Sequence, residues 1–557
     1  MKKYFLKQLS EAKKEYLTNK VVPELPVSGY REFLMTGERL VFEKAYFARR
    51  KHATVLVLSL LQKKEAEVVE GLEQVLWGIC NEYSWSLPAH LPIEANHFRV
   101  DSPTWIDLFA AETGQMLAEI VKLFEKELSE LLTFRIRSEI DRRLFVPFVT
   151  NTWPFESFEN NWSAVVGGSI GMAALDIQEK GGKSQAEILR KVDRCMASYL
   201  RSFGMDGACE EGVSYWAYGF GYYIYFAEKY QQVYDDDRYL LGDKVKKIAA
   251  FPNDVMLAET EAIPFSDYHP ADLPSGLLSF CQERFHVAIP EVVRINDLDF
   301  DHCYRFAPLL RNLLWSKRHI VNNQKEVLHY FEDVAWGVLQ SSKENLVFAA
   351  KGGRNDESHN HIDIGHFVFG TREDLFLTDL GAGEYTKDYF DEKTRYLFLV
   401  NSALGHSIPI VANSYQLPGA VAAEHTSFQS TRTGGVFKTE LASTYPSQIG
   451  LRQMDRTIEV DRSKRQLVLS DAFTFEKENQ LVIENFITTN PVEVIGKTVC
   501  ITGEKEKCEM YFSKPVQLIK ESYYDHYGQK NEATLIQATY QLLKEETIQI
   551  EIAIKSK

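Results

Sequence analysis

The densest run of reactive side chains is Glu357-Ser358-His359-Asn360-His361-Ile362-Asp363. On an extended strand alternate side chains share a face, so His359, His361 and Asp363 would converge on one point. Asp379 follows in Leu377-Thr378-Asp379-Leu380-Gly381-Ala382-Gly383, and His406 in Ala403-Leu404-Gly405-His406-Ser407. Two imidazoles and a carboxylate are the donors a Zn²⁺-type ion takes when no thiolate is offered. Hydrogen-bonded loop histidines account for the same spacing, and spacing alone leaves both readings open.

Two further segments carry polar groups suited to catalysis. Glu159-Asn160-Asn161-Trp162 precedes Ser163-Ala164-Val165-Val166-Gly167-Gly168-Ser169-Ile170-Gly171, a small-residue helix that lets another backbone approach closely. Helix capping is the plain account of the two asparagines. Asp206-Gly207-Ala208-Cys209-Glu210-Glu211-Gly212-Val213-Ser214-Tyr215-Trp216-Ala217-Tyr218-Gly219 places a glycine-bearing loop before an aromatic helix. A tyrosine on such a stripe is more often core than catalyst.

The elements that must position these groups change type along the chain. Up to about residue 315 apolar residues recur at helical spacing, as in the runs beginning at Trp105 and Met116, and Ser102-Pro103 is a helix-start signal. Many aromatic-rich helices suggest a layered ring or solenoid, although no fixed-period repeat is present. From about residue 333 short alternating runs take over. Thr457–Asp461, a polar turn at 462–465 and Gln466–Ser470 read as a hairpin, and residues 547–554 alternate as plainly. The second half is thus expected to be antiparallel β, as two packed sheets. The polar segment Ser316–Lys325 marks the boundary, dividing the chain into domains 1–320 and 321–557.

Composition narrows the function classes. The chain has 557 residues, 45% hydrophobic and 25% charged, which is too long for one ordinary core and typical of a globular protein. No stretch is apolar for long enough to span a bilayer, so no membrane partner is expected. The start, Met1-Lys2-Lys3-Tyr4-Phe5-Leu6, continues into charged residues without a signal-peptide pattern. A cytoplasmic location is expected as supplied, or a secreted or periplasmic one if a leader was removed. Seven scattered cysteines without a Cys-x-x-Cys pair point to reduced, buried thiols rather than a disulfide framework. A net charge of −15 argues against broad nucleic-acid binding. It would require any anionic substrate to meet a locally basic cleft, which suits short oligosaccharides. The oligomeric state is not set by these features.

Taken in order, the segments resemble those of the heparinase II/III-like polysaccharide lyases. The Asn-Asn-Trp helix, the Asp-Gly…Glu-Gly-x-x-Tyr-Trp-x-Tyr-Gly segment, the Ser-His-x-His-x-Asp segment and Asp379-Leu380-Gly381-Ala382-Gly383-Glu384-Tyr385 carry the resemblance. Arg135-Ile136-Arg137-Ser138-Glu139-Ile140-Asp141-Arg142-Arg143 matches the preceding helix, and the likeness spans roughly residues 95 to 410. It implies an incomplete (α/α) toroid followed by an antiparallel β-sandwich, with an active site in the cleft between them. It also implies β-elimination in uronic-acid-containing glycosaminoglycan chains or oligosaccharides of hyaluronan, chondroitin or heparan type.

In that family pattern Asn161, aided by Asn160, would hold the uronate carboxylate. Tyr215 would serve as base and acid, given positive charge that lowers its phenol pKa. His359 would polarise the carboxylate or move a second proton. His361, Asp379 and His406 would hold one divalent ion, Zn²⁺ with Mn²⁺ as the alternative, in a mainly structural role oriented by Asp363. Trp162, Glu211 and Tyr385 are further substrate-binding candidates, as are Arg135, Arg137 and Arg354. Tyr385, Tyr389 and Tyr396 are second-tier acids, each with an equally good packing account. Trp162 stands where some members place a histidine, which favours syn elimination from glucuronate. Competing readings are an alginate-type oligouronate lyase, a glycoside hydrolase using Asp206, Glu210 and Glu211, and a catalytically silent carbohydrate-binding protein.

Overall fold

The computed structural model describes the whole chain apart from Met1, Lys20, Ala271, residues 321–324 and Ser358, and for Lys387 the backbone alone. The boundary segment Ser316–Lys325 therefore lies partly outside the described residues, as does Ser358 of the histidine segment.

The chain forms two compact units, and their division is not a single cut. The first comprises Met1–Ser202, Tyr215–Lys246 and Asp272–Ile320; the second comprises Phe203–Ser214, Lys247–Ala271 and Val321–Lys557. Two stretches of the helical half are thus built into the second unit.

Within the first unit the helices form two layers. Helices Leu108–Phe124 and Asn161–Ile177 are buried on nearly every face, while Ala66–Cys80 and Lys183–Arg201 carry one apolar stripe each. The small-residue helix Asn161–Ile177 fits tightly among its neighbours. A Cβ on Gly167 would meet Cys195 at 2.5 Å, and one on Gly168 would meet the Tyr222 carbonyl oxygen at 2.8 Å. A buried ion network ties four inner helices together: Glu119 pairs with Arg311 at 2.6 Å and with Lys229 at 2.9 Å, and Lys229 reaches Asp176 at 2.7 Å. Burial pushes the Glu119 carboxyl up, and the two cations more than reverse this.

One helix start differs from expectation. Ser102–Thr104 is only a 3₁₀ turn, and the helix begins at Leu108, capped by Asp107, whose Oδ1 accepts from the Ala110 N–H at 2.7 Å. A carboxylate facing the positive end of a helix is a stronger cap than a serine hydroxyl. Among the described residues no helix is long and apolar enough to cross a membrane. All seven cysteines are free and buried.

Among the described residues the second unit is antiparallel β, with three principal sheets of eight, four and five strands rather than the expected two. One apolar core joins all three, with Phe348 and Phe367 from the five-stranded sheet, Val482 and Phe486 from the four-stranded, and Ile458 and Ile550 from the eight-stranded. The expected hairpin is present as strands Leu451–Asp461 and Gln466–Phe475, paired from Asp461 opposite Gln466. The second of these alternates buried and half-buried residues along its whole length. The last strand, Glu545–Ser556, lies inside the eight-stranded sheet between Gln466–Phe475 and Glu506–Tyr511.

Candidate active site

The histidine segment is a loop, not the strand its alternation suggested. Among the described residues between the short strand Arg354–Asn355 and the strand Phe367–Gly370 the backbone is irregular, and His359 sits at φ 55° in the left-handed region. For a residue with a Cβ this conformation is uncommon and collects at functional sites. His359 and His361 nevertheless converge, because both are held by the fully buried Asp267 from the 247–271 stretch. Asp267 Oδ2 accepts from His359 Nδ1 at 2.7 Å, and Oδ1 accepts from His361 Nε2 at 3.1 Å. The hydroxyl of Tyr385 donates to Oδ2 at 3.2 Å, and that of Tyr389 donates to Oδ1.

This arrangement sets the charges. Burial pushes the Asp267 carboxyl up, but the two imidazoles hold it far below the usual carboxylate range. Burial pulls the His359 imidazole down, and its hydrogen bond to Asp267 more than reverses this, so the net shift is upward. Its Nε2 lies 3.8 Å from Glu211, and its side chain remains 20% exposed. Tyr385 stacks beside it with ring centroids 6.4 Å apart. Tyr389 is fully buried, and Tyr396 packs against Ile362, Ala403 and Ile408. Asp267 was not among the sequence candidates. It stands 92 residues before His359 with no motif to mark it.

Behind His359 lies a second buried group, His361, Asp363, Asp379 and His406, whose ligand atoms lie within 4.8 Å of one another. The hydrogen bonds define the tautomers. His361 gives its Nε2–H to Asp267, which leaves a lone pair on Nδ1. His406 gives its Nδ1–H to the Ser402 carbonyl at 2.8 Å, which leaves a lone pair on Nε2 in the neutral ring. The two nitrogens face each other at 3.4 Å, with Asp379 Oδ2 3.5 Å from His406 Nε2. Asp379 Oδ2 and Asp363 Oδ1 are buried without hydrogen-bond partners. Lone pairs and an ionised carboxylate aimed at one point repel unless a cation lies between them, so this donor set fits a divalent ion. His366 is different: its Nδ1 accepts from the Ser407 N–H at 2.8 Å, so Nε2 carries a proton toward Asp379 at 3.4 Å. It faces the carboxylate with a proton rather than a lone pair, and makes no hydrogen bond to it. Asp363 is partly engaged, through Oδ2, by the buried Lys351 at 2.9 Å.

The first unit contains the remaining candidates. Asn160 is the helix cap, its Oδ1 accepting from the Trp162 N–H at 3.1 Å. Asn161 is only 7% exposed, and its side-chain amide makes no hydrogen bond among the described residues. An amide that is nearly buried and unsatisfied is prepared for a ligand in a way the cap is not. Tyr215 is half-buried on the first turn of helix Val213–Tyr234, after Gly212 at φ 90°.

The three arginines have partners of their own. Arg137 donates to the Ile177 carbonyl at the far end of the Asn161 helix, about 24 Å from Asn161 by helical rise. Arg135 pairs with Glu139 at 3.2 Å, and Arg354 makes two contacts of 2.7 Å with Asp356. Asp206 is engaged by backbone, accepting from the Asp333 and Ala208 N–H groups.

No protein-family model matches the chain, and no curated protein matches it. Its fold is similar to that of a mutant heparan sulfate lyase HepC from Pedobacter heparinus, with TM-score 0.66 and 12% identity over 99% of this chain and 83% of that one. A heparinase III structure gives TM-score 0.65 and 13% identity, covering 100% of this chain and 92% of its own. Chondroitin AC lyase from Streptomyces coelicolor A3, in complex with chondroitin sulphate, gives TM-score 0.55 and 9% identity over 99% and 79%. The fold is therefore heparinase III-like, an N-terminal helical toroid followed by an antiparallel β-sandwich.

Proposed function

We propose that this chain is a polysaccharide lyase that cleaves uronic-acid-containing glycosaminoglycan chains or oligosaccharides by β-elimination. The observation that carries the reading is His359, fixed by a buried carboxylate through Nδ1 and partly exposed. The unsatisfied amide of Asn161 and the likeness in fold to heparan sulfate and chondroitin lyases support it.

Elimination across C4 and C5 needs the uronate carboxylate neutralised, the C5 proton removed and O4 protonated. Asn161 would hydrogen-bond the carboxylate and stabilise the aci-anion, as an oxyanion hole does. His359, whose cationic form Asp267 favours, would place positive charge beside it or move a second proton. Tyr215 would transfer the proton from C5 to O4. Glu211 and Tyr385, which border His359, would orient the sugar. His361, Asp379 and His406 would hold Zn²⁺, with Mn²⁺ the alternative. When bound, the ion supplies a fixed positive charge that braces the His359 loop.

The test is incubation with a panel of uronic-acid polymers and oligosaccharides, followed by ultraviolet absorbance and metal analysis. Conjugated unsaturated uronate is expected from glycosaminoglycans, and Tyr215→Phe and His359→Ala should abolish it. Product from alginate alone would shift the substrate to oligouronates, and new reducing ends without absorbance would mean hydrolysis. An inert wild-type protein would overturn the reading.

A further inference from the structure

His90 ends the 3₁₀ turn Pro88–His90, and its Nδ1 lies 2.7 Å from Oδ2 of Asp107. Asp107 is fully buried and already accepts two backbone N–H groups, Ala110 on Oδ1 at 2.7 Å and Leu87 on Oδ2 at 3.1 Å. An ionised carboxylate only accepts, so the shared proton belongs to His90 Nδ1 and the lone pair of the neutral ring is on Nε2. That nitrogen has no hydrogen-bond or ion-pair partner among the described residues, and the side chain is 21% exposed. The ring meets Trp162 edge-on, centroids 5.3 Å apart, and stacks on Phe109 at 6.0 Å. Trp162 adjoins Asn161. Asp107 caps its helix through Oδ1 without help from the imidazole, so the cap does not explain the histidine.

We propose that His90, oriented by Asp107, is a proton-accepting residue of the elimination, an inference that rests on the lyase reading above. A carboxylate that fixes one imidazole nitrogen and presents the other is the arrangement of a positioned general base. In the step assigned to it, neutral Nε2 replaces Tyr215 as the acceptor of the C5 proton of a uronate held by Asn161, and Tyr215 keeps only the role of acid toward O4. The C5–H electron pair becomes the C4=C5 π bond as the C4–O4 bond breaks, and O4 leaves with the proton of the Tyr215 hydroxyl. His90 then returns its proton to water, and the Tyr215 phenolate recovers one from water. Trp162 thus does not leave the Asn161 wall without an imidazole, because a distant stretch of chain supplies one.

The test compares wild type, His90→Gln and His90→Ala on whichever uronate oligosaccharide the wild type cleaves. Both variants should unfold at the wild-type temperature and lose about 10²-fold or more in kcat, with KM nearly unchanged. Added imidazole should restore part of the turnover of His90→Ala, a rescue that a merely structural role would not allow. Wild-type kcat in His90→Gln, or a loss in His90→Ala that imidazole leaves untouched, would overturn the assignment while leaving the lyase reading intact. A wild type inert on every uronate would overturn both.

Discussion

At the scale of single residues, His359 and His361 share one carboxylate and have different work. His361 contributes its Nδ1 lone pair to the buried donor set, whereas His359 is turned to the partly exposed side. Replacing His361 with alanine should weaken divalent-ion binding and lower the melting temperature. His359→Ala should keep the metal and lose turnover, and equal metal loss in the two variants, read by elemental analysis, would refute the division. A second prediction concerns Glu112, whose Oε1 accepts from Tyr218 and Arg305 at 3.0 Å each. Burial pushes its carboxyl up to about 7 in spite of Arg305, whose charge is shared with Asp301 at 2.8 Å. The folded protein therefore binds this proton more tightly than the unfolded chain does. The contribution to stability is complete below pH about 4.5 and is lost as pH rises to about 7, a change of about 3 kcal/mol. Denaturant unfolding across that window should show the decline in wild type and a flatter profile in Glu112→Gln.

At the scale of elements, the Asn161 helix depends on having no side chain at Gly168. Helix propensity alone favours alanine there by about 1 kcal/mol. The new Cβ would stand 2.8 Å from the Tyr222 carbonyl oxygen, so Gly168→Ala is instead expected to destabilise by about 1–3 kcal/mol in chemical denaturation. The same elements show what could be read in advance. The hairpin at 451–475 and the closing strand were legible because period-two alternation is a local signal of a half-buried sheet. The small residues of the Asn161 helix foretold close packing for the same local reason. The His359 loop was not legible, because its left-handed backbone serves a contact with Asp267 made 92 residues away. The number of sheets escaped too, since it depends on which distant strands pair. Ser102-Pro103 starts only a 3₁₀ turn, because the cap that starts the α-helix, Asp107, stands a few residues further on.

At the scale of the whole molecule, the net charge of −15 would oppose the proposed polyanionic substrate at long range. Raising ionic strength from about 0.01 to 0.1 M shortens the screening length from about 30 to 10 Å. The kcat/KM for long polymer should therefore rise relative to that for a short oligosaccharide, and a ratio that falls with salt would contradict the role given to net charge. Fold legibility was poorest at this scale, because composition carries no record of the two stretches, 203–214 and 247–271, that belong to the second unit. The position of the final strand has a consequence in time. Glu545–Ser556 lies between two strands made earlier, so the eight-stranded sheet has a gap at its centre until residues 545–556 have been synthesised. On the ribosome, Asp267 emerges long before the scaffold that will hold its histidines, and must wait in a nascent chain whose sheet edges are still open. The helical segments can begin to pack early, but the β unit closes last, and a chaperone that shields unpaired strands would act in that interval.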